Sequence, residues 1–236
     1  MNKTVNDIST PGGEPFFGWM GALLTAMVVL GFGASVAVKP GGVAGLPMLY
    51  HVHGAIFVSW FLLFMAQASW VRRANLRMHR AAGQLSLVLV VAMLVTGYLM
   101  MQAAYQIEDF TIGSNSHSAS MMFPVTDLVN FSLAYGLALF HRSDAVTHKR
   151  LMLLAGVLIM DPAVARLVEA LGAPFMLIPV IELGLFGALL TYDWRRLGRL
   201  HWASLFGLGL WVLAMVAKVV VAPQPLWGEV AAYLFA

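Results

Sequence analysis

Apolar residues in this chain come in long blocks separated by short polar or basic interruptions. Seven blocks stand out, at roughly 17–38, 50–70, 82–104, 122–141, 151–171, 174–192 and 202–222. Each approaches the roughly 20 residues that carry a helix across a hydrocarbon core. A membrane β-barrel would instead show segments of about ten residues with alternating polarity. Backbone groups in lipid must pair within their own segment, so the pattern predicts an all-α bundle of seven transmembrane helices. The connections are short, which makes residues 17–222 one transmembrane domain. Residues 1–16 form a polar N-terminal segment. Residues 223–236 follow Pro223-Gln224-Pro225, are too short to span, and read as an interfacial tail. Ser35-Val36-Ala37 mimics a cleavage site, but the apolar run before it is longer than an ordinary signal-peptide core. The first block is therefore read as a retained span.

Composition supports a lipid-embedded chain: 60% of the residues are hydrophobic and 11% charged, against about a quarter charged in soluble domains. The charge distribution sets orientation. Arg72, Arg73, Arg77 and Arg80 lie between blocks two and three, Arg142, Lys149 and Arg150 between four and five, and Arg195, Arg196 and Arg199 between six and seven. Basic loops stay cytoplasmic, so the N-terminus is expected inside and the C-terminus outside. Trp19, Trp70, Trp194 and Trp202 then fall at the cytoplasmic boundary, where aromatic belts form. This arrangement explains the net charge of +3 without a nucleic-acid partner; the expected partner is the lipid bilayer. The absence of cysteine excludes disulfides, thiolate metal sites and cysteine nucleophiles.

Ionisable residues inside the blocks are the next signal, because a charge at the bilayer centre costs about 2.5–3.5 kcal/mol on insertion scales. They are Asp127, Asp161, Arg166, Glu169, Glu182 and Lys218. One outward-opening polar cavity accounts for Asp127, Asp161, Arg166, Glu169 and Glu182 together. Asp161-Pro162 falls near the middle of block five, where proline removes a helix hydrogen bond. Arg166 and Glu169, three apart, are placed to pair on one face, either as a structural ion pair or as part of an anion site. Lys218, about a turn from the end of block seven, is expected to snorkel to the outer interface.

Histidines form the second candidate set. His53, Trp60 and Gln67 repeat every seven residues and share an inward face, which leaves His51 towards lipid or the interface. His117 lies in the polar loop GSNSHSAS and reads as solvated. The basic loops repeat a spacing: Arg73 precedes His79, Arg142 precedes His148 and Arg195 precedes His201, each by six residues. Either the hairpins reuse one interfacial chemistry, or the histidines form a binding ring on the cytoplasmic face.

The stretch LRMHRAAGQLSLV around His79 resembles the His-Arg-x-x-Gly loop of a family of bacterial polytopic membrane proteins without an assigned activity. His53 to Trp60 and the run His148-Lys149-Arg150-Leu151-Met152 extend the likeness over spans two to five. It implies the multi-pass architecture and a place in the bacterial inner membrane. A more distant similarity is to transmembrane b-type cytochromes, whose histidines ligate haem in axial pairs. That likeness implies His79 and His148 as ligands of one haem and His53 as a ligand of an outer one, although Phe123 to Asp127 offer no histidine partner on span four.

Three functions follow as expectations. The first is a redox protein binding haem b and exchanging electrons with a quinone. The second is a transporter or binding protein that takes a small-molecule ligand into the polar cavity, although the inverted repeats of many transporters are missing. The third is a metal-dependent membrane enzyme using His53, His117 and carboxylates, or an assembly factor; no HExxH spacing supports metal chemistry.

Overall fold

The computed structural model describes residues 14–37 and 42–236. Ten helices follow one another: α1 (Pro15–Ala37), α2 (Met48–Arg72), α3 (Leu76–Tyr105), α4 (His117–Ser120), α5 (Met122–Phe140), α6 (Ala145–Val157), α7 (Asp161–Ala170), α8 (Leu177–Leu197), α9 (Trp202–Val216) and α10 (Pro225–Phe235). Six segments are long and apolar enough to cross a membrane, and there are seven if α6 and α7, bent by 46° at a short break, count as one span. Counted so, the seven expected spans are present as an all-helical bundle. Most of the N-terminal segment, and Lys39, lie outside the described residues.

Local sequence explains the helix ends. Asn75 accepts a hydrogen bond from the Met78 amide, and Asp144 accepts from the amides of Val146 and Thr147. Both use a short side-chain oxygen to satisfy orphan donors of a first turn. Gly198 closes α8 in the left-handed conformation, φ 68°, which glycine adopts without a Cβ penalty. At Asp161-Pro162 the span is broken into two helices. Pro162 stands in the first turn of α7, where its missing N–H costs nothing, and Asp161 becomes a helix-start residue beside the break.

The bundle core holds Leu24, Trp60, Phe131, Leu154 and Phe186, all nearly inaccessible. Small residues let helices touch. A Cβ at Gly31 would collide with the Ala163 carbonyl oxygen, so the backbones of α1 and α7 are in contact there. This is the close approach that glycine permits between membrane helices. The outer face of α3 is the reverse, with Leu87, Val88, Val91 and Val95 all exposed. Exposed apolar side chains in that number belong to a surface solvated by lipid.

Glu14, just ahead of α1, ion-pairs with Lys149 and with Arg196. The basic loops therefore gather at one end of the bundle, here termed the basic end, with Trp19, Trp194 and Trp202 exposed around it. At the far end the tail becomes α10 and docks: the Trp227 indole donates to the Ser118 carbonyl at 2.8 Å, and the Tyr98 hydroxyl donates to the Leu234 carbonyl at 2.8 Å.

Candidate functional site

Two groups of buried polar residues stand out, one towards each end. Towards the far end, α5 and α7 converge on Lys218, which stands in the turn that follows α9. Its ammonium donates to Asp127 Oδ1 at 3.1 Å and pairs with Asp161 Oδ2, and it lies 5.0 Å from the Phe123 ring centre. Asp127 and Glu182 are each the sixth residue of a helix entering from the far end, which places both about 8 Å inside it at 1.5 Å per residue. Glu182 accepts a hydrogen bond from the Trp211 indole at 2.7 Å.

Lys218 does not snorkel, which corrects the sequence expectation: it is 4% exposed. Residues Ala217–Val221 form a turn of π-helix at the end of α9. Lys218 follows Ala214 by four positions and Gly207 by eleven, so helical period already places it on the buried face of α9. The expected outward cavity is also corrected. Asp127, Glu182 and Lys218 are buried, so the carboxylates enclose a closed cluster rather than lining an open cleft. One atom is left over. Asp127 Oδ2 is buried and has no hydrogen-bond partner.

Arg166 and Glu169, expected with these carboxylates, are elsewhere. The Arg166 guanidinium donates to the Pro162 carbonyl at 2.9 Å and lies 4.4 Å from the Phe32 ring centre. Glu169 is exposed, and no ion pair joins it to Arg166 among the described residues. Arg166 thus sits against an aromatic face and Glu169 at the surface.

Towards the basic end, His79 in the first turn of α3 and His148 in the first turn of α6 come together. Their ring centres are 6.4 Å apart and their planes nearly perpendicular, at 88°. His148 Nδ1 bonds the Ala138 carbonyl at 2.7 Å, which fixes the ring and leaves Nε2 as the free donor atom. His79 Nδ1 is buried without a partner, and so is Oε1 of Gln67 on α2. Gly83, one turn beyond His79, leaves that flank bare: a Cβ there would meet only the Gln67 amide, at 3.8 Å. Below it Ser86 and Tyr135 share a hydrogen bond of 2.7 Å between α3 and α5.

Two residues after His148, Arg150 is fully buried and its guanidinium contacts Asp193 Oδ1 at 2.6 and 2.8 Å. Asp193 Oδ2 accepts from the Ser204 hydroxyl at 2.6 Å and the His201 amide at 3.2 Å. Arg150 is therefore no exposed loop charge, as its place in a basic run had suggested. An acid inside the run Tyr192-Asp193-Trp194-Arg195-Arg196 was the available signal.

Around this pair, charge tunes the loop groups. Burial alone would raise the Glu14 carboxyl, but Lys149 and Arg196 beside it outweigh that and hold it below the usual range. The Thr147 hydroxyl and the first amides of α6 hold Asp144 down. Burial, then the Arg150 guanidinium, keeps the His201 imidazole below its ordinary value.

The remaining histidines stay apart. His53 faces inward as expected, packed against Phe57 with ring centres 4.2 Å apart and planes tilted by 34°, and with Nδ1 unpartnered; it meets neither His79 nor His148. His51 bonds the Leu46 carbonyl at 3.2 Å, and His117 bonds the Phe110 carbonyl at 3.1 Å and packs on Tyr105. His201 caps α9 through the Ala203 amide. Only two of the three loop histidines thus meet, and no group of three or more metal-ligating side chains forms among the described residues. Comparison with models of known families, with curated proteins and with solved structures finds no match to this chain.

Proposed function

We propose that the chain is a membrane redox protein that binds one b-type haem between His79 and His148. The observation that carries the reading is the meeting of these two imidazoles, 69 positions apart in sequence (148 − 79), with ring centres 6.4 Å apart. At such a separation one nitrogen of each ring could ligate a single ion, so His79 and His148 would hold the haem iron between them. The donor chemistry fits too: paired neutral imidazoles are axial haem ligands, and their number and surroundings tune the potential.

The groups that hold the two histidines support the same reading. The Ala138 carbonyl holds His148 in one tautomer, and such partners are the usual companions of ligating histidines. The Arg150–Asp193 pair locks the first turns of α6 from which His148 projects. Gly83 keeps a flank free of side chain, and Arg80, directly after His79, supplies positive charge suited to propionate carboxylates. When bound, haem contributes one-electron transfer; the chain holds and orients it and keeps water away. A quinone or quinol dissolved in the bilayer is the electron partner suited to such a site. Only one haem is proposed, because His53 has no second histidine near it.

An ultraviolet-visible spectrum of protein purified in detergent from haem-replete cells tests this. Reduction by dithionite is expected to sharpen the Soret band and to bring up α and β bands. His79→Leu and His148→Leu are expected to abolish them, and His53→Leu to leave them. A colourless wild-type protein would sink the proposal. The transporter or binding-protein reading, which the cluster around Lys218 favours, would then stand in its place.

A further inference from the structure

The far-end cluster contains three carboxylates and one ammonium. With all four ionised, the group carries two uncompensated negative charges within the membrane span. Ions taken out of water without partners cost several kcal/mol each, and charge inside a span is tolerated mainly where it is paired or functional. In and around the cluster stand Asp127, Asn130 and Phe123 from α5, Asp161 from α7, Glu182 from α8, Trp211 from α9 and Lys218 from the turn that follows it. Asn130 spends its amide on the Leu210 carbonyl at 3.2 Å. Arg166, on the same helix as Asp161, turns to Phe32 and the Pro162 carbonyl. Lys218 is the one cation that touches the carboxylates among the described residues.

We infer that Asp127, Asp161, Glu182 and Lys218 form a proton-binding site, with Asp161 ionised against Lys218 and protons held by Glu182 and Asp127. The unpartnered, buried Oδ2 of Asp127 marks one proton position. Glu182 marks the other, since the Trp211 indole occupies Oε2 and leaves its second oxygen free. Asp127 and Asp161 meet on the one ammonium, and with Asp127 and Glu182 neutral Asp161 is the carboxylate that stays charged beside it. The net charge of the cluster is then zero. Exchange runs through Asp161, whose side chain is 14% exposed against 8% for Asp127 and 4% for Lys218. Proton loading requires no covalent step and does not depend on haem.

Infrared spectroscopy of the full-length protein in H2O and D2O tests the site. A protonated-carboxyl stretch is expected at neutral pH, shifting in D2O. Glu182→Gln and Asp127→Asn should each remove part of it while keeping the fold, because an amide mimics a neutral acid; Glu169→Gln, at the exposed position, should remove none. Absence of the band, or a band unchanged in both variants, overturns the inference. Loss of the band on adding sodium or potassium ions overturns it in favour of a cation site. Failure of both variants to fold also overturns it, since that outcome demands ionised carboxylates at these positions.

Discussion

The two buried ion networks of this bundle are built from similar parts and balance differently. Near the basic end one guanidinium meets one carboxylate, and both carboxylate oxygens are occupied, by Arg150 on one side and by Ser204 and the His201 amide on the other. Near the far end one ammonium serves two carboxylates, a third acid stands beside them, and one oxygen has no partner. A closed network has nothing to exchange, so its effect is mechanical: it fixes α6, and through α6 the ring of His148. An acid-rich network must recruit protons or ions. Polarity inside a span therefore does not identify function; the residual charge does.

The largest predicted effect breaks the closed network. Asp193→Ala leaves Arg150 buried and unpaired, and is expected to cost about 3–5 kcal/mol, read as loss of monodisperse protein or a large fall in melting temperature in detergent. Lys218→Met, in the open network, is expected to cost less, about 1–3 kcal/mol, because a proton on Asp161 can replace the ammonium. Equal losses in the two variants would erase the distinction. Gly31→Ala should cost about 1–3 kcal/mol by overpacking. It forces α1 away from Ala163 and shifts α7, so its cost should fall on the Asp161 cluster and spare the His79–His148 pair, as thermal melts paired with haem spectra would show.

Smaller effects sharpen the contrast. Asp144 caps α6, and Asp144→Ala should cost about 1 kcal/mol. Its carboxyl sits below the usual range in the folded protein. Its contribution is therefore complete above the ordinary carboxylate value, near pH 4, and is lost as pH falls through the lowered folded value. Melting curves of the wild type and the variant should converge in acid. Asp127→Asn should change stability least, by roughly 0.5 kcal/mol or less, the scale of a substitution that disturbs no packing or charge balance.

Much of this architecture was legible in the sequence because lipid constrains it strongly. Twenty-residue apolar blocks gave the spans, and arginine-bearing loops gave the common end, later joined through Glu14. The inward stripe of His53, Trp60 and Gln67 followed from helical period alone, and Trp60 is 1% exposed. The cluster was legible only in part. Asp127, Asp161 and Glu182 stood out as charges in spans, but Lys218 was assigned to the interface because it lies about one turn from the end of its span. Its register with the buried Gly207 and Ala214 on α9 was the available signal. Arg166 was misplaced for a related reason: spacing shows which residues share a helix face, not which aromatic ring waits opposite. Arg150 and Asp193 were hidden by their neighbours, since a buried ion pair inside a basic stretch looks like more of the same loop.

The central claim concerns His79 and His148, and the perpendicular setting of their rings gives it a specific signature. Electron paramagnetic resonance of the oxidised, haem-replete protein is expected to show one low-spin haem with the strongly anisotropic signal of two perpendicular imidazoles, absent from His79→Leu. No low-spin haem signal, or one that survives His79→Leu unchanged, would contradict the account.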